Sequence, residues 1–294
     1  MARPAPAVDR VVAVLEFLAT RPDEAFGVSE LARRLDLNKA TAHATMTALS
    51  AQGWLRRHPT DRTYQLGSAL VAIGNAAARR SFDVVDSARP MMQELADELG
   101  IQCVASTVLG DEIVMLARTG TPQPVGLSVQ VGQRVPLAPP LGTVFLAWSS
   151  ADAIDGWLRR LGADADEADL ARYRAAIRAV QRRGYSLARE GEARIRLDQT
   201  LAAHDDAEPI VAELGHEEYI LLELERAASY RLSMIAAPVF DAAGRVTLAL
   251  TLLGFPEPLA GPEVPQYAGR LRAAARDATR AIEGVDPTSG DGGP

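Results

Sequence analysis

The sequence predicts two unlike parts: a mostly helical head ending in a two-stranded ribbon, and an α+β body built on antiparallel hairpins, with a connecting helix between them. Three observations predict this. Apolar residues recur at helical spacing in three short segments before residue 52, and two short strand segments follow them. Beyond residue 83, helical periodicity is interrupted by strand pairs flanking Gly110-Asp111 and Asp241-Ala242-Ala243-Gly244. Charge divides at the same place. Residues 1–80 hold 11 basic and 7 acidic residues, net +4, while the rest of the 294-residue chain holds 20 and 31, net −11.

The first helix is read from Val8, Val11, Val12, Leu15 and Leu18, with Asp9, Arg10 and Glu16 on its other faces. Thr20-Arg21-Pro22-Asp23 stops it. A second helix runs from Val28 to Asp36 on Leu31, Ala32 and Leu35. Asn38 is the expected N-cap of a third, Lys39 to Gln52, which Gly53 ends. Trp54–His58 and Thr63–Leu66 then form the ribbon around Pro59-Thr60-Asp61-Arg62. That order is a winged helix-turn-helix over residues 1–67. Residues 68–82, Ala-rich and without turn chemistry before Ser81, read as a linker helix.

The body is placed at 83–284. A helix to Leu99 precedes a hairpin of Gln102–Leu109 and Ile113–Arg118. Val125–Val131 and Pro136–Leu137 are further strand candidates, and Leu141-Gly142-Thr143 opens a helix through Trp148. Helices at Ala151–Leu161 and Glu167–Arg183 follow, then an ambiguous stretch at 199–230. Ser233–Phe240 and Arg245–Leu253 make the second hairpin, and a helix spans Pro265–Glu283. Residues 285–294, rich in Gly, Pro and Asp, read as a disordered tail.

Composition removes several classes of function. No apolar run is long enough for a bilayer, and no secretory leader is legible, so a cytoplasmic protein without membrane contact is expected. The single cysteine, Cys103, forms no internal disulfide or thiolate cluster and reads as a small buried hydrophobe. No G-x-S-x-G, phosphate loop or dinucleotide fingerprint occurs. His204-Asp205-Asp206 and His216-Glu217-Glu218 lack a second histidine at i+4 and read as solvated acidic segments. Neither a catalytic residue, a metal nor a cofactor is expected.

The whole-chain charge of −7 speaks against nucleic acid, and the +4 head reverses that inference. The second helix of a helix-turn-helix enters the major groove. Here Ala42, Thr45, Met46 and Leu49 pack inward, which leaves Lys39, Ala40, Thr41, His43, Ala44 and Thr47 outward, with Asn38 at the start. Short methyl and hydroxyl groups permit close approach, and threonine can meet a thymine methyl. Lys39 is the only lysine in the chain. Arg56, Arg57 and Arg62 stand on the ribbon, within reach of phosphates or the minor groove.

Several of these stretches carry a family resemblance. In the head they are Ser29-Glu30-Leu31-Ala32, Asn38-Lys39-Ala40-Thr41-Ala42-His43, Leu49-x-x-x-Gly53-Trp54-Leu55-x-Arg57 and Tyr64-Gln65-Leu66-Gly67. In the body they are Gly132-x-x-x-Pro136-Leu137, Leu141-Gly142 and Ala236-Ala237-Pro238-Val239-Phe240-Asp241-x-x-Gly244. Over nearly its whole length the chain resembles the IclR family of bacterial transcriptional regulators. The resemblance implies a homodimer or homotetramer that binds double-stranded operator DNA through its heads. It also implies a GAF-like effector-binding domain for a small molecule such as an organic acid or an aromatic compound.

Departures from the family are local. Ala44 stands where an arginine is common, and Ala138-Pro139-Pro140-Leu141-Gly142-Thr143 replaces a stretch ending in Leu-Gly-Lys, removing a cation and two N–H donors. The segment 189–228 is longer than the usual connection. Leu141, Gly142 and Thr143, at a helix start, are the expected effector contacts, although Gly142 equally suits tight packing. Met115 and Ser233 fall where pocket residues occur in similar proteins, and each alone reads more simply as core. With 5% aromatic residues, a ligand would be held by backbone groups and aliphatic walls.

The reading is a sequence-specific regulator, a repressor, whose operator affinity an effector modulates through the connecting helix. Two alternatives stand beside it: an enzyme whose winged helix serves protein contacts, and a ligand-independent activator.

Overall fold

The structure, a computed structural model, describes residues 5–19, 21, 24–74, 83–121, 129–162, 165–203, 207–217, 219–255 and 257–288. The chain divides into two compact units, Met1–Phe82 and Asp83–Pro294. None of the described helices is long and apolar enough to cross a membrane.

In the head, α1 (Pro6–Ala19), α2 (Val28–Arg34) and α3 (Lys39–Ala51) enclose a core with the strands β2 (Leu55–Arg57) and β3 (Thr63–Leu66). Val14, Leu18, Leu31, Met46, Leu55 and Tyr64 form that core, one or two from each element. The expected two-stranded ribbon is a three-stranded sheet. β1 (Phe26–Gly27) pairs with β3 in register Phe26↔Tyr64, giving the order β1-β3-β2. A strand of two residues is too short to show alternation in sequence. What holds it is tertiary: Phe26 is buried, with its ring edge-on to Phe17 at 4.9 Å.

Gly53 and Gly67 bring the ends of α3 and the wing together. The Gly67 N–H donates to the Trp54 carbonyl at 2.7 Å, and the Ala69 N–H donates to the Gly53 carbonyl at 3.2 Å. Residues 69–74 continue as a helix, α4. The remainder of the expected linker helix, 75–82, lies outside the described residues.

The second unit is α+β. Its six-stranded antiparallel sheet has the order β6-β5-β4-β10-β9-β7. The strands are β4 (Gln102–Leu109), β5 (Glu112–Thr119), β6 (Arg134–Pro136), β7 (Ser186–Arg189), β9 (Leu232–Phe240) and β10 (Val246–Leu253). A two-stranded pair, β8 (Ser229–Tyr230) with β11 (Leu259–Ala260), stands apart from it. Two long helices, α5 (Asp83–Leu99) and α11 (Val264–Ala281), pack together and against the sheet. The Thr119 hydroxyl donates to the Met92 carbonyl of α5 at 3.0 Å, which assigns Thr119 and its register partner Cys103 to that face. Cys103 is fully buried there, and burial pushes its thiol up to about 12.

The other elements are α6 (Thr143–Leu146), α7 (Ala151–Leu158) with a 3-10 turn at Arg159–Leu161, α8 (Glu167–Arg183), α9 (Glu192–Ala203) and α10 (Glu208–Leu214). Several expectations are corrected. The ambiguous 199–230 stretch contains the end of α9, all of α10 and β8. The helix expected through Trp148 is a single turn, because Ala147 caps it. Of the strand expected at Val125–Val131, residues 129–131 are not extended pairs, and the rest lies outside the described residues. Residues 285–288 of the expected disordered tail are described: the Val285 N–H donates to the Asp241 carbonyl at 3.0 Å, and Asp286 faces Arg276 at 3.9 Å.

The approach at Gly67 is testable. A Cβ there would collide with the Gly53 carbonyl oxygen, a backbone atom that cannot rotate away. Gly67→Ala should destabilise the head by about 1–3 kcal/mol, read as a lowered midpoint of thermal unfolding.

Candidate nucleic-acid interface and ligand cavity

Helix α3 presents one buried and one open face. Ala42, Met46 and Leu49 are buried, whereas Lys39, Ala40, His43, Ala44, Thr47 and Ala48 are exposed and Thr41 is half-buried. Asn38 caps the helix, its Oδ1 accepting from the Thr41 N–H at 2.8 Å. The hydroxyl of exposed Thr47 donates to the His43 carbonyl at 2.8 Å. Arg56 donates to the Gln65 side-chain carbonyl at 2.9 Å. Arg57 lies 5.8 Å from the Tyr64 ring centroid, and Arg62 occupies the left-handed turn position at φ 56°. All three guanidinium groups belong to exposed residues. An open helix face of short side chains, with cations at its start and on the wing, matches a major groove and its flanking phosphates.

The second unit holds a cavity of about 720 Å³, counted to its open mouth. Strand alternation builds its floor from one sheet face, with Ser106, Ala236, Ala249 and Thr251. Ile113, Met115, Val135, Leu141 and Phe145 add apolar walls, and Arg194, Asp198 and Leu201 of α9 complete it. Tyr219 contributes a phenol, whose oxygen lies 3.4 Å from the Ser233 hydroxyl.

The wall at Leu137–Leu141 is fastened from behind. The Trp157 indole N–H donates to the Leu141 carbonyl at 2.9 Å, and Arg160 donates to the Leu137 carbonyl at 2.8 Å while pairing with Asp111. Gly142 follows at φ 88°, a left-handed conformation that side chains rarely adopt. Thr143 faces away from the cavity: it is fully buried, with its hydroxyl 2.9 Å from that of Ser186.

The charged pair on α9 is the most polar feature of the cavity. Arg194 Nη1 and Asp198 Oδ1 are 2.9 Å apart, with side chains only 11% and 19% exposed. Burial pushes the Asp198 carboxyl up to about 6, Arg194 opposes this and Glu190 adds to it. Among the described residues no group of His, Cys, Asp or Glu is placed to hold a metal.

Both units match one family. The IclR helix-turn-helix domain matches residues 7–59, and the bacterial transcriptional regulator IclR C-terminal domain matches residues 76–195. The chain belongs to the IclR family of transcriptional regulators. It is similar to the HTH-type transcriptional regulator BhcR of Paracoccus denitrificans, 25% identical over 249 residues, 84% of this chain and 77% of that one. It is also similar to the glycerol operon regulatory protein of Streptomyces griseus, 38% identical over 76 residues, but there the match spans 30% of the relative. Among solved structures, an IclR regulator from Alicyclobacillus acidocaldarius shares the fold with a TM-score of 0.66 at 20% identity, covering 95% of this chain and 100% of that one. An IclR homologue from Microbacterium hydrocarbonoxydans, solved with 4-hydroxybenzoate, does so with a TM-score of 0.66 at 20% identity, covering 94% and 98%.

In this IclR chain, three of the five effector residues expected from sequence come together on the cavity wall: Met115, Leu141 and Gly142. Thr143 and Ser233 do not line it, since each turns to a buried hydroxyl partner. The one-turn α6 also carries too little summed dipole to act as the expected anion site. Sequence reading missed Arg194, Asp198 and Tyr219. A signal existed in the spacing of Ala193, Leu197 and Leu201, an inward stripe that places Arg194 and Asp198 beside it. Beside its largely aliphatic walls the cavity also carries this charged side-chain pair.

Gly142→Ala should cost roughly 1–3 kcal/mol, through the left-handed backbone and a Cβ thrust into Leu137. Calorimetric unfolding of the full chain would read this as a lower transition for the second unit.

Proposed function

We propose that this IclR regulator is a repressor whose operator affinity is set by a small molecule in the second unit. The observation that carries the reading is the open-mouthed cavity, walled on the family-matched stretch by Met115, Leu141 and Gly142. The Microbacterium homologue's complex with 4-hydroxybenzoate supports the use of such a cavity for small organic molecules. DNA contact is assigned to Asn38, Lys39, Ala40, Thr41, His43, Ala44 and Thr47 on α3, and to Arg56, Arg57 and Arg62 on the wing. Val8 and Val12, exposed one turn apart on α1, support assembly into a dimer or tetramer through an apolar helix face. In such an assembly the effector acts by linkage, binding the operator-competent and operator-incompetent arrangements unequally.

The acidic body confines DNA contact to the head. Its net −11 repels phosphate, so binding should weaken with salt through the cations of the head. Lys39→Ala and Arg57→Ala should each reduce the slope of log affinity against log salt by about 1 on a duplex from beside the protein's own gene. Wild-type protein that binds no such duplex, or variants with an unchanged slope, would defeat the assignment.

A further inference from the structure

We propose that Ser106 and Thr251 form the polar end of the cavity and hold an uncharged oxygen function of the ligand, a phenol, alcohol or ketone, on an otherwise apolar body. This rests on the cavity being the effector site and goes on to the chemistry of what it accepts.

Burial normally forces a hydroxyl to find a partner, because an unbonded one gives up water and gains nothing in return. The other buried Ser and Thr residues of the second unit keep that rule. Thr119 donates to the Met92 carbonyl, Thr143 and Ser186 pair with each other, Ser233 faces the Tyr219 phenol, and Thr279 donates to the Ala275 carbonyl. Ser106, only 5% exposed, is the exception: its hydroxyl has no hydrogen-bond partner among the described residues. Its oxygen is not sealed in either, and keeps surface open to the chamber it lines. Thr251 is half-buried on the same floor, and its hydroxyl is likewise unbonded among the described residues. A valine there would fill the same volume and leave no oxygen to satisfy.

The two hydroxyls belong to one patch. Ser106 on β4 is the register partner of Ala249, and Thr251 stands two residues further along β10, on the same face. Such a diagonal pair has its Cβ atoms roughly 7 Å apart, so one ligand oxygen can meet both hydroxyls. Ala249 and Ala236, the neighbours of the pair, are short enough to leave the approach clear.

A neutral oxygen suits this end, and an ionised carboxylate does not. Each hydroxyl can donate to a ketone, or exchange a hydrogen bond with a phenol or alcohol, with no charge to balance. A carboxylate brought to the floor would need a cation. Arg194 supplies the one guanidinium among the described lining residues, and at 2.9 Å from Asp198 it is already neutralised. The remaining polar groups are engaged elsewhere: Gln133 Oε1 accepts from the Gln130 N–H at 2.8 Å, and the Tyr219 phenol faces Ser233. Met115, Val135, Leu141 and Phe145 then enclose the apolar body.

The test compares three probes of similar size, 4-methylphenol, toluene and benzoate, by calorimetric titration of the full chain. At pH 8 the first is uncharged, since a phenol titrates at about 10. In wild type 4-methylphenol should bind at least tenfold more tightly than either of the others. The nearly isosteric double variant, Ser106→Ala with Thr251→Val, should erase the advantage over toluene and leave toluene affinity unchanged. Its thermal unfolding midpoint should not fall, because neither hydroxyl is bonded within the fold. Equal wild-type affinities for 4-methylphenol and toluene, tighter binding of benzoate, no binding by any probe, or an undiminished phenol advantage in the folded double variant would each overturn the proposal. The wild-type comparison decides it even where the variant fails to fold. The effector reading is judged separately: probes that bind and leave operator affinity unchanged would defeat that reading alone.

Discussion

At the middle of the cavity floor three adjacent central strands present short side chains on the same face of the sheet. Ser106 on β4 and Ala249 on β10 are direct register partners, and Ala236 on β9 pairs with Thr251 beside them. Side chains this short cannot reach the layer formed by Phe145, Leu141 and α9, so a space remains. On the opposite face the same strands carry residues such as Cys103 and Leu252, packed tightly under α5 and α11. The sheet is thus closed on one side and hollow on the other. Everything that defines the cavity follows from that difference, including the need to brace its thin wall with Trp157 and Arg160.

Electrostatics separates the two units in kind. Cations of the head are exposed, short-range and screened, suited to a polyanion that brings its own counterion release. The charged pair lining the cavity of the second unit is largely buried. An ion pair inside a protein recovers only part of its desolvation cost and contributes little stability in itself. In such a low-dielectric site an uncompensated charge or missing donor is felt more strongly than in water.

Much of this was legible in the sequence where signals are local. Asn38 announces the start of α3, the apolar spacing of Ala42, Met46 and Leu49 separates its two faces, and both hairpins are marked by their turns. What escaped depends on contacts distant in sequence. β1 exists because Phe26 meets Tyr64 and Phe17, and neither contact has a local signature. α9 shows weak amphipathicity because Arg194 and Asp198 occupy positions that line a cavity instead of a filled core. The same cause hid them as cavity-lining residues. Thr143 and Ser233 illustrate the reverse error: a polar residue near the expected place faces another buried hydroxyl.

The Gly53–Gly67 contact has a mechanical meaning. Backbone bonds from both ends of the wing return to the end of α3, and Ala69, the first residue of α4, is tied into the same knot. No slack loop intervenes between the helix that faces the groove and the helix that leaves the head. A twist applied along α4 is therefore delivered to α3 as rotation of a single stiff lever, with the wing carried along on the same pivot.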